Sequence, residues 1–303
     1  MTRRKGFTLV ELLVVIAIIA LLISLLLPAL GKAIRSGRSL KDSTQVKQIH
    51  TAMLSFASQN KGRFPTPGLI NRLVDENTGT QQPNLGLEDN ARNNTASFYA
   101  AMIAQDFVPT ILLIGPTEAN AVVVEDKNYD YDLYNPGADV YWDPGFVANI
   151  HQSPANGQCN TSYSHMAICG KRKKEKWKDV GAAGDPIVGN RGVGKLTAVT
   201  IVLPGENEYT KSPTLLLHDP KKVWGGNVCF NDSHVERLEN FYSSLTTYEF
   251  EFDPPVKDHI YTAEFGGTTS LTNHPEADAF LCITQTASNT GNSISPRFDA
   301  LLP

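Results

Sequence analysis

The sequence predicts an α+β protein in which one long N-terminal helix, half transmembrane and half domain spine, packs on an antiparallel sheet. Three observations predict this fold. Residues 7–30 form an apolar run, helical periodicity continues to about Gln59, and the remainder contains β-rich segments separated by Gly and Pro. Because 41% of the 303 residues are hydrophobic, the part that follows the helix is large enough to bury a core of its own.

The apolar run is long enough to cross a bilayer. Its 24 residues, 7 to 30, span about 36 Å as a helix, against about 30 Å for a hydrocarbon core. The run also exceeds the apolar stretch of a cleaved secretory signal. Arg3, Arg4 and Lys5 precede it and favour a cytoplasmic N-terminus. Glu11 is the single carboxylate in the run, and a carboxylate in such a place is expected to have a partner.

A second helical segment, residues 31–60, is expected to resume after Pro28 and to form the spine. We expect Pro28 to kink or locally melt the helix at the bilayer edge. Residues at spacings of three and four form an apolar stripe suited to docking on a sheet: Val46, Ile49, Met53 and Phe56. His50 lies beside this stripe, where we expect a surface or half-buried histidine rather than a ligand. Gly62 and the prolines that follow it mark the end of the helix.

The N-terminal motif resembles a known processing signal. The residues Lys5-Gly6-Phe7-Thr8-Leu9-Val10-Glu11 closely resemble the type IV prepilin signal, which the pseudopilins of type II secretion share. The resemblance implies a pilin-like fold, cleavage between Gly6 and Phe7 by a membrane aspartyl peptidase, and methylation of the new amine. It also implies that Glu11 neutralises the amine of a neighbouring subunit and that Pro28 is the family's helix-bending proline. A plain signal anchor with an incidental glutamate is the alternative.

These assignments divide the chain into a leader (1–6), a transmembrane helix (7–30), an amphipathic spine helix (31–60) and an α+β head (61–303). The resemblance implies a single-pass inner-membrane protein with a cytoplasmic N-terminus and a periplasmic or extracellular head. Its implied partners are prepilin peptidase, other pilin or pseudopilin subunits, an inner-membrane assembly platform and membrane lipid. One observation opposes this orientation, because four basic residues follow the span directly: Lys32, Arg35, Arg38 and Lys41.

Charge is distributed unevenly along the chain. The net charge is −4, but residues 1–63 carry ten Lys and Arg against two acids, which leaves about −12 for the rest. One basic run, residues 171–178, stands out in this acidic head and contains Trp177. Such a run could hold a nucleic acid or an acidic polysaccharide. A solvated face is the favoured interpretation, and no nucleic-acid partner is expected.

Acidic residues between 126 and 143 cluster among Gly and Pro. Oxygen-rich loops suit calcium, and some pseudopilins bind calcium in such a loop. The spacing is not that of an EF-hand, so a solvated acidic loop is favoured and no cofactor is predicted. Upstream of this loop the sequence predicts a short helix over residues 96–103 and a strand over residues 122–124.

A second informative region lies near the C-terminus. Residues 214–217 and 226–231 are expected to form two strands of a hairpin, with a third strand over residues 234–238. The segment is similar to the C-terminal signature of a prepilin-like family abundant in planctomycetes, which reads His, a glycine-rich turn, then Asn-Val-x-Phe-x-Asp-Gly-His-Val. Ser233 replaces the usual glycine, and the gap after the first histidine is longer. The matching residues are His218, Gly225, Gly226, Asn227, Phe230, Asp232 and His234.

The sequence predicts no catalytic site. His218, Asp219, Asp232 and His234 could be imagined as a metal site, but Asp at a turn normally serves backbone hydrogen bonds, and no metal is predicted. The common hydrolase and redox motifs are absent from the sequence, and an enzyme is not expected. Four cysteines leave the disulfide pairing open: Cys159, Cys169, Cys229 and Cys282. The last fifteen or so residues are expected to be poorly ordered.

The expected function is therefore structural. The chain is expected to be a prepilin-like subunit, cleaved and N-methylated, of a type II secretion pseudopilus or a type IV-like filament. The rival is a membrane-anchored periplasmic binding protein that never polymerises and uses its basic loop or hairpin as the ligand surface. The two hypotheses differ over Glu11, because a filament subunit needs its charge and an anchor does not.

Overall fold

The computed structural model describes most of the chain. Its described residues are 8–70, 73–74, 81–82, 88–135, 138–150, 158–194, 204–206, 209–217, 223–248, 256–262, 264–265, 268–269 and 279–299. They form three α-helices, twelve strands and several short 3-10 turns. The α+β prediction is confirmed, because a long N-terminal helix packs on a large antiparallel sheet.

The first helix, α1 (Leu9–Gln59), runs for 51 residues, or about 76 Å. Its first buried residue is Asp42, so the N-terminal part stands free of the head and the C-terminal part packs on it. Val46, Ile49 and Met53 are fully buried, which confirms the predicted apolar stripe. The helix ends at the predicted residue because Lys61 and Gly62 have positive φ angles of 56° and 76°.

Pro28 does not melt the helix. α1 is continuous through Pro28, so local melting, one of the two expected effects, is wrong. The other, a kink, stays a prediction. A proline ring removes one donor, its own nitrogen, which leaves the carbonyl of Ser24 without its usual partner. The hydroxyl of Ser24 donates back to Leu21 O at 2.7 Å, as helical serines often do. The other backbone hydrogen bonds of the turn suffice to keep the segment helical.

The strands pair in antiparallel fashion throughout. Six of them form the main sheet, in the order β12-β11-β3-β4-β5-β6. The strands are β1 (Leu73–Val74), β2 (Gln81–Gln82), β3 (Tyr163–Met166), β4 (Pro186–Asn190), β5 (Gly226–Phe230), β6 (Val235–Leu238), β7 (Tyr242–Tyr248), β8 (Val256–His259), β9 (Glu264–Phe265), β10 (Thr268–Thr269), β11 (Leu281–Ala287) and β12 (Ile294–Arg297).

Helices pack on different strands of this sheet. α1 contacts β4, β5 and β6, whereas α2 (Thr95–Ala104) contacts β11. The third helix, α3 (Gly170–Glu175), is a short turn within the basic run. Rings of Phe64, Phe98, His165 and Trp177 meet at centroid separations of 4.7–5.7 Å and fill the core near α2.

Three local predictions are wrong. Residues 122–124 form a single bridge between Val123 and Cys159 rather than a strand. Pro213–Leu216 is a 3-10 turn, because Ser212 caps it and Asp299 accepts the N–H of Thr214 at 2.9 Å. The predicted hairpin therefore consists of β5 and β6 alone. Within the chain end expected to be poorly ordered, Ile294–Arg297 forms β12 and is followed by buried Phe298 and Asp299, whereas residues 300–303 lie outside the described residues.

Candidate processing and assembly site

Glu11 closes a capping box at the start of α1. Its Oε2 accepts the backbone N–H of Thr8 at 2.8 Å and the Thr8 hydroxyl at 2.7 Å, while Thr8 Oγ1 accepts the N–H of Glu11 at 3.2 Å. The carboxylate is exposed and lies four residues beyond Phe7, the predicted new terminus. Gly6 and Phe7 lie outside the described residues.

The free part of α1 exposes an unbroken apolar surface. By length and composition α1 is able to cross a membrane, and the most apolar stretch of it is not buried by the head at all. Side chains such as Leu9, Leu21 and Leu25 are 61–78% exposed. In water this surface would be costly, so it requires lipid or other helices around it.

The N-terminal segment matches a known family. Residues 1–27 match the family described as the prokaryotic N-terminal methylation motif. The chain carries a prepilin-type signal. The prepilin-type signal marks a prepilin-like subunit that a prepilin peptidase processes, and its apolar helix fits a single-pass membrane anchor. No curated protein and no solved structure matches the chain.

The structure places the predicted hairpin residues at the junction of helix and sheet. Gly225 precedes β5, and Gly226 begins it. A Cβ on Gly226 would lie 2.7 Å from the Trp224 ring, so a side chain there would displace the indole. Asn227 faces α1 and contacts Ser39. His218 and Asp219 lie outside the described residues, so the resemblance to the C-terminal signature stays a prediction.

Asp42 is the residue that joins α1 to the sheet. Its carboxylate is fully buried and accepts hydrogen bonds from Tyr163 Oη at 2.8 Å, Asn190 Nδ2 at 3.2 Å and Asn227 Nδ2 at 2.7 Å. Asn227 Nδ2 also donates to Ser39 O at 3.1 Å. Burial, together with the carboxylate, raises the pKa of Tyr163, so this phenol stays a donor. The sequence reasoning missed Asp42, although it precedes Val46 by four residues on the apolar stripe.

The turn between β5 and β6 touches the same helix. Phe230 N donates to His234 O at 3.0 Å, which closes a three-residue loop whose last member, Ser233, has a φ of 71°. This left-handed position is one that glycine adopts without strain, which fits the glycine found there in the signature that the segment resembles. Ser233 Oγ and His50 Nδ1 are hydrogen-bonded at 3.2 Å. His50 is fully buried, contrary to the prediction, because the turn and the Phe64 ring cover it.

Two substitutions distinguish the hydrogen bond of the Ser233 side chain from the strain of its left-handed backbone. Ser233→Ala is expected to lower the free energy of unfolding by about 1 kcal/mol, because it loses the bond to His50 and keeps the strained backbone. Ser233→Gly loses the same bond but relieves about 1 kcal/mol of strain, so its stability should be close to native. Urea denaturation of the detergent-solubilised chain measures both. Equal stability of the two variants would contradict the strain argument.

Of the four residues considered as a metal site, only Asp232 and His234 belong to the described part of the chain. His234 stacks on Phe230 with ring centroids 4.5 Å apart, and its Nδ1 bonds to Asp232 Oδ1. Burial raises the pKa of Asp232, but the hydrogen bonds from His234 outweigh it and the net shift is downward. Among the described residues, no three His, Cys, Asp or Glu side chains are grouped as a metal ion requires.

In the acidic loop the carboxylates serve the backbone. Asp126 accepts the N–H of Asn128, and Asp143 accepts the N–H groups of Asp130 and Gly145, at 2.7–3.0 Å. These are turn-stabilising contacts. The favoured interpretation, a solvated acidic loop, stays a prediction, with calcium binding as its alternative.

A buried ion cluster joins Arg191, which follows β4, to two distant segments of the chain. Arg191 is fully buried and donates to Glu118 Oε2 at 2.7 Å and Oε1 at 3.0 Å, and its Nη2 lies 3.6 Å from Asp299 Oδ1. Asn120 Nδ2 and Ser212 Oγ donate to Asp299 at 3.1 Å each. Burial raises the pKa of Asp299. Burial also acts to raise the pKa of Glu118, but the charge of Arg191 and the hydrogen bonds that this carboxylate accepts together outweigh it, so the net shift is downward.

Three buried histidines make stability depend on pH. Burial lowers the pKa values of His50, His165 and His259 to about 4. Because these values lie below the unfolded value of about 6.5, the unfolded chain binds protons first as pH falls. The free energy of unfolding should therefore fall between pH 6.5 and 4, by about 1–2 kcal/mol per histidine at pH 5. Denaturation at pH 7 and pH 5 measures this, and His50→Gln should show a smaller difference.

All four cysteines are free and buried in the described structure. Burial raises the pKa values of Cys159, Cys229 and Cys282 to about 12. Their thiols are therefore protonated, unreactive core groups.

Proposed function

We propose that this prepilin-like chain is a structural subunit of a filament, either a type II secretion pseudopilus or a type IV-like pilus. Cleavage between Gly6 and Phe7 and methylation of Phe7 precede assembly. The supporting observation is the free part of α1, which combines the processing signal with an exposed apolar surface. Other copies of this helix would bury that surface in the filament core.

In this proposal the N-terminus is cytoplasmic before processing and the head is periplasmic or extracellular. The other partners are prepilin peptidase, an inner-membrane assembly platform and related subunits. Glu11 supplies the charge that recognises the amine of a neighbouring subunit. A pair of opposite charges in apolar surroundings contributes chiefly to register and specificity, because desolvation offsets much of its attraction.

Glu11→Gln is expected to abolish assembly while leaving the helix intact. Glutamine also closes a capping box, so the variant keeps the hydrogen bonds to Thr8 and loses the charge alone. Intact-mass analysis of the membrane-extracted protein measures processing, and recovery of sheared filaments by sedimentation measures assembly. Glu175→Gln, an exposed change in the head, is the control and should assemble normally.

Three outcomes would contradict the proposal. A native chain that begins at Met1 or Thr2 would exclude prepilin processing. A Glu11→Gln variant that is processed and assembles like the native protein would remove the role given to its charge. A processed native chain that never sediments as filaments would favour the rival, a membrane-anchored binding protein.

A further inference from the structure

A basic cleft lies beside the end of α1. It has a volume of about 440 Å³ and is lined by Arg63, Thr66, Leu69, Glu88, Lys173, Lys174, Trp177 and Lys178. Four of these side chains are cationic and one is anionic, which gives the lining a charge of +3. The rest of the head is acidic, so the cleft is a positively charged patch on a negatively charged domain.

Two of the cations are held side by side. Arg63 and Lys178 are partners in an isolated antiparallel bridge, which brings their side chains to the same side of the backbone. Like charges placed directly opposite one another are destabilising. No carboxylate in the described part of the chain pairs with Arg63, Lys174 or Lys178. An anion in the cleft would relieve this repulsion.

Glu88, the single carboxylate that lines the cleft, is paired with Lys173. Lys173 Nζ donates to Glu88 Oε1 at 2.7 Å and to Asn90 Oδ1 at 2.7 Å. Glu88 therefore orients Lys173 and neutralises one charge, which leaves the other three cations for a ligand. Lys174 and Arg63 are exposed, and Lys178 is half-buried.

The cleft is remote from the membrane-spanning part of the chain. Arg63 follows the last residue of α1 by four positions, whereas the apolar run begins at the other end of this 51-residue helix. About 40 Å of helix separates Leu30 from the end of α1.

We propose that this cleft binds an acidic polysaccharide through its sulfate or carboxylate groups. Nucleic acid is the less favoured polyanion, because single-strand binding relies on exposed rings that stack on bases. The ring of Trp177 is 1% exposed and its Nε1 donates to Pro65 O at 3.0 Å, so it forms the floor of the cleft and does not offer a face. This inference is independent of filament assembly, since it concerns the head alone.

The test is fluorescence-anisotropy titration of the full chain in a neutral detergent. The probes are a labelled heparin oligosaccharide, a labelled oligogalacturonate and a single-stranded oligonucleotide of equal charge. Lys174→Gln/Lys178→Gln removes two cations, and Lys127→Gln/Lys257→Gln removes two exposed lysines elsewhere as the matched control. Denaturation midpoints and tryptophan fluorescence establish that both double variants are folded.

At low salt the cleft variant is expected to bind the glycan probes about tenfold more weakly than the native protein, and the control variant equally well. Heparin as the tighter glycan would indicate sulfate, and oligogalacturonate would indicate carboxylate. Three results would overturn the proposal: no glycan binding by the native chain, equal weakening in both double variants, or tighter binding of the oligonucleotide than of either glycan.

Discussion

Asp42→Ala is expected to lower the free energy of unfolding by about 3–5 kcal/mol. The substitution leaves three buried donors, on Tyr163, Asn190 and Asn227, without the carboxylate that accepts them. It also opens a void between α1 and the sheet. Denaturation of the detergent-solubilised chain, followed by far-UV circular dichroism, measures the change in the head.

Two controls identify the cause of that loss. Asp42→Asn keeps the shape, but in either orientation its NH2 group faces at least one donor that the carboxylate accepted, Asn227 Nδ2 at the Oδ2 position, so it should cost about 1–3 kcal/mol. Glu239→Ala removes an exposed carboxylate and should change stability by less than about 0.5 kcal/mol. If Asp42→Ala were as mild as Glu239→Ala, the carboxylate would not be what joins the helix to the sheet.

Arg191→Met is expected to be at least as damaging at neutral pH, by about 3–5 kcal/mol. The variant leaves Glu118 and Asp299 buried with no positive charge between them. Both carboxyls would then have folded pKa values above their unfolded values, because burial opposes ionisation. Such groups favour folding at low pH and oppose it as pH rises.

The pH dependence distinguishes this cause from simple loss of packing. Between pH 7 and 5 the deficit of Arg191→Met relative to the native chain should shrink, since its carboxyls take up protons. In the native chain Glu118 behaves in the opposite way, because its pKa is lowered and its contribution is lost as pH falls. Unfolding free energies of both chains across this range measure the difference. A deficit that is constant with pH would contradict the charge argument.

Local signals in the sequence predicted the elements that depend on nearby residues. The end of α1 was predictable because Gly62 and Pro65 terminate helices. The strands β5 and β6 were predictable because the turn residues that join them are adjacent in sequence. Asp42 could have been found, since a lone carboxylate four residues before Val46 falls on the buried stripe. The strand predicted over residues 214–217 failed because a short apolar run does not distinguish strand from helix.

The remaining contacts depend on residues that are distant in the chain. Arg191 and Glu118 are 73 positions apart, and Thr214 and Asp299 are 85 positions apart. No periodicity or spacing marks such partners, because only the folded sheet brings them together. The same applies to the basic cleft, where a bridge between Arg63 and Lys178 joins two segments that the sequence shows separately.

The position of Asp42 has a mechanical consequence. The part of α1 before it, Leu9 to Lys41, is a continuous helical arm of about 50 Å that the head does not touch until its base. A sideways force on the arm therefore acts as torque at that base, where the Asp42 carboxylate binds residues of three strands, β3, β4 and β5, to the helix. Bending or extraction of the arm would strain these hydrogen bonds before it strained the packing of the apolar stripe. These bonds thus set the stiffness with which head and arm move as one body.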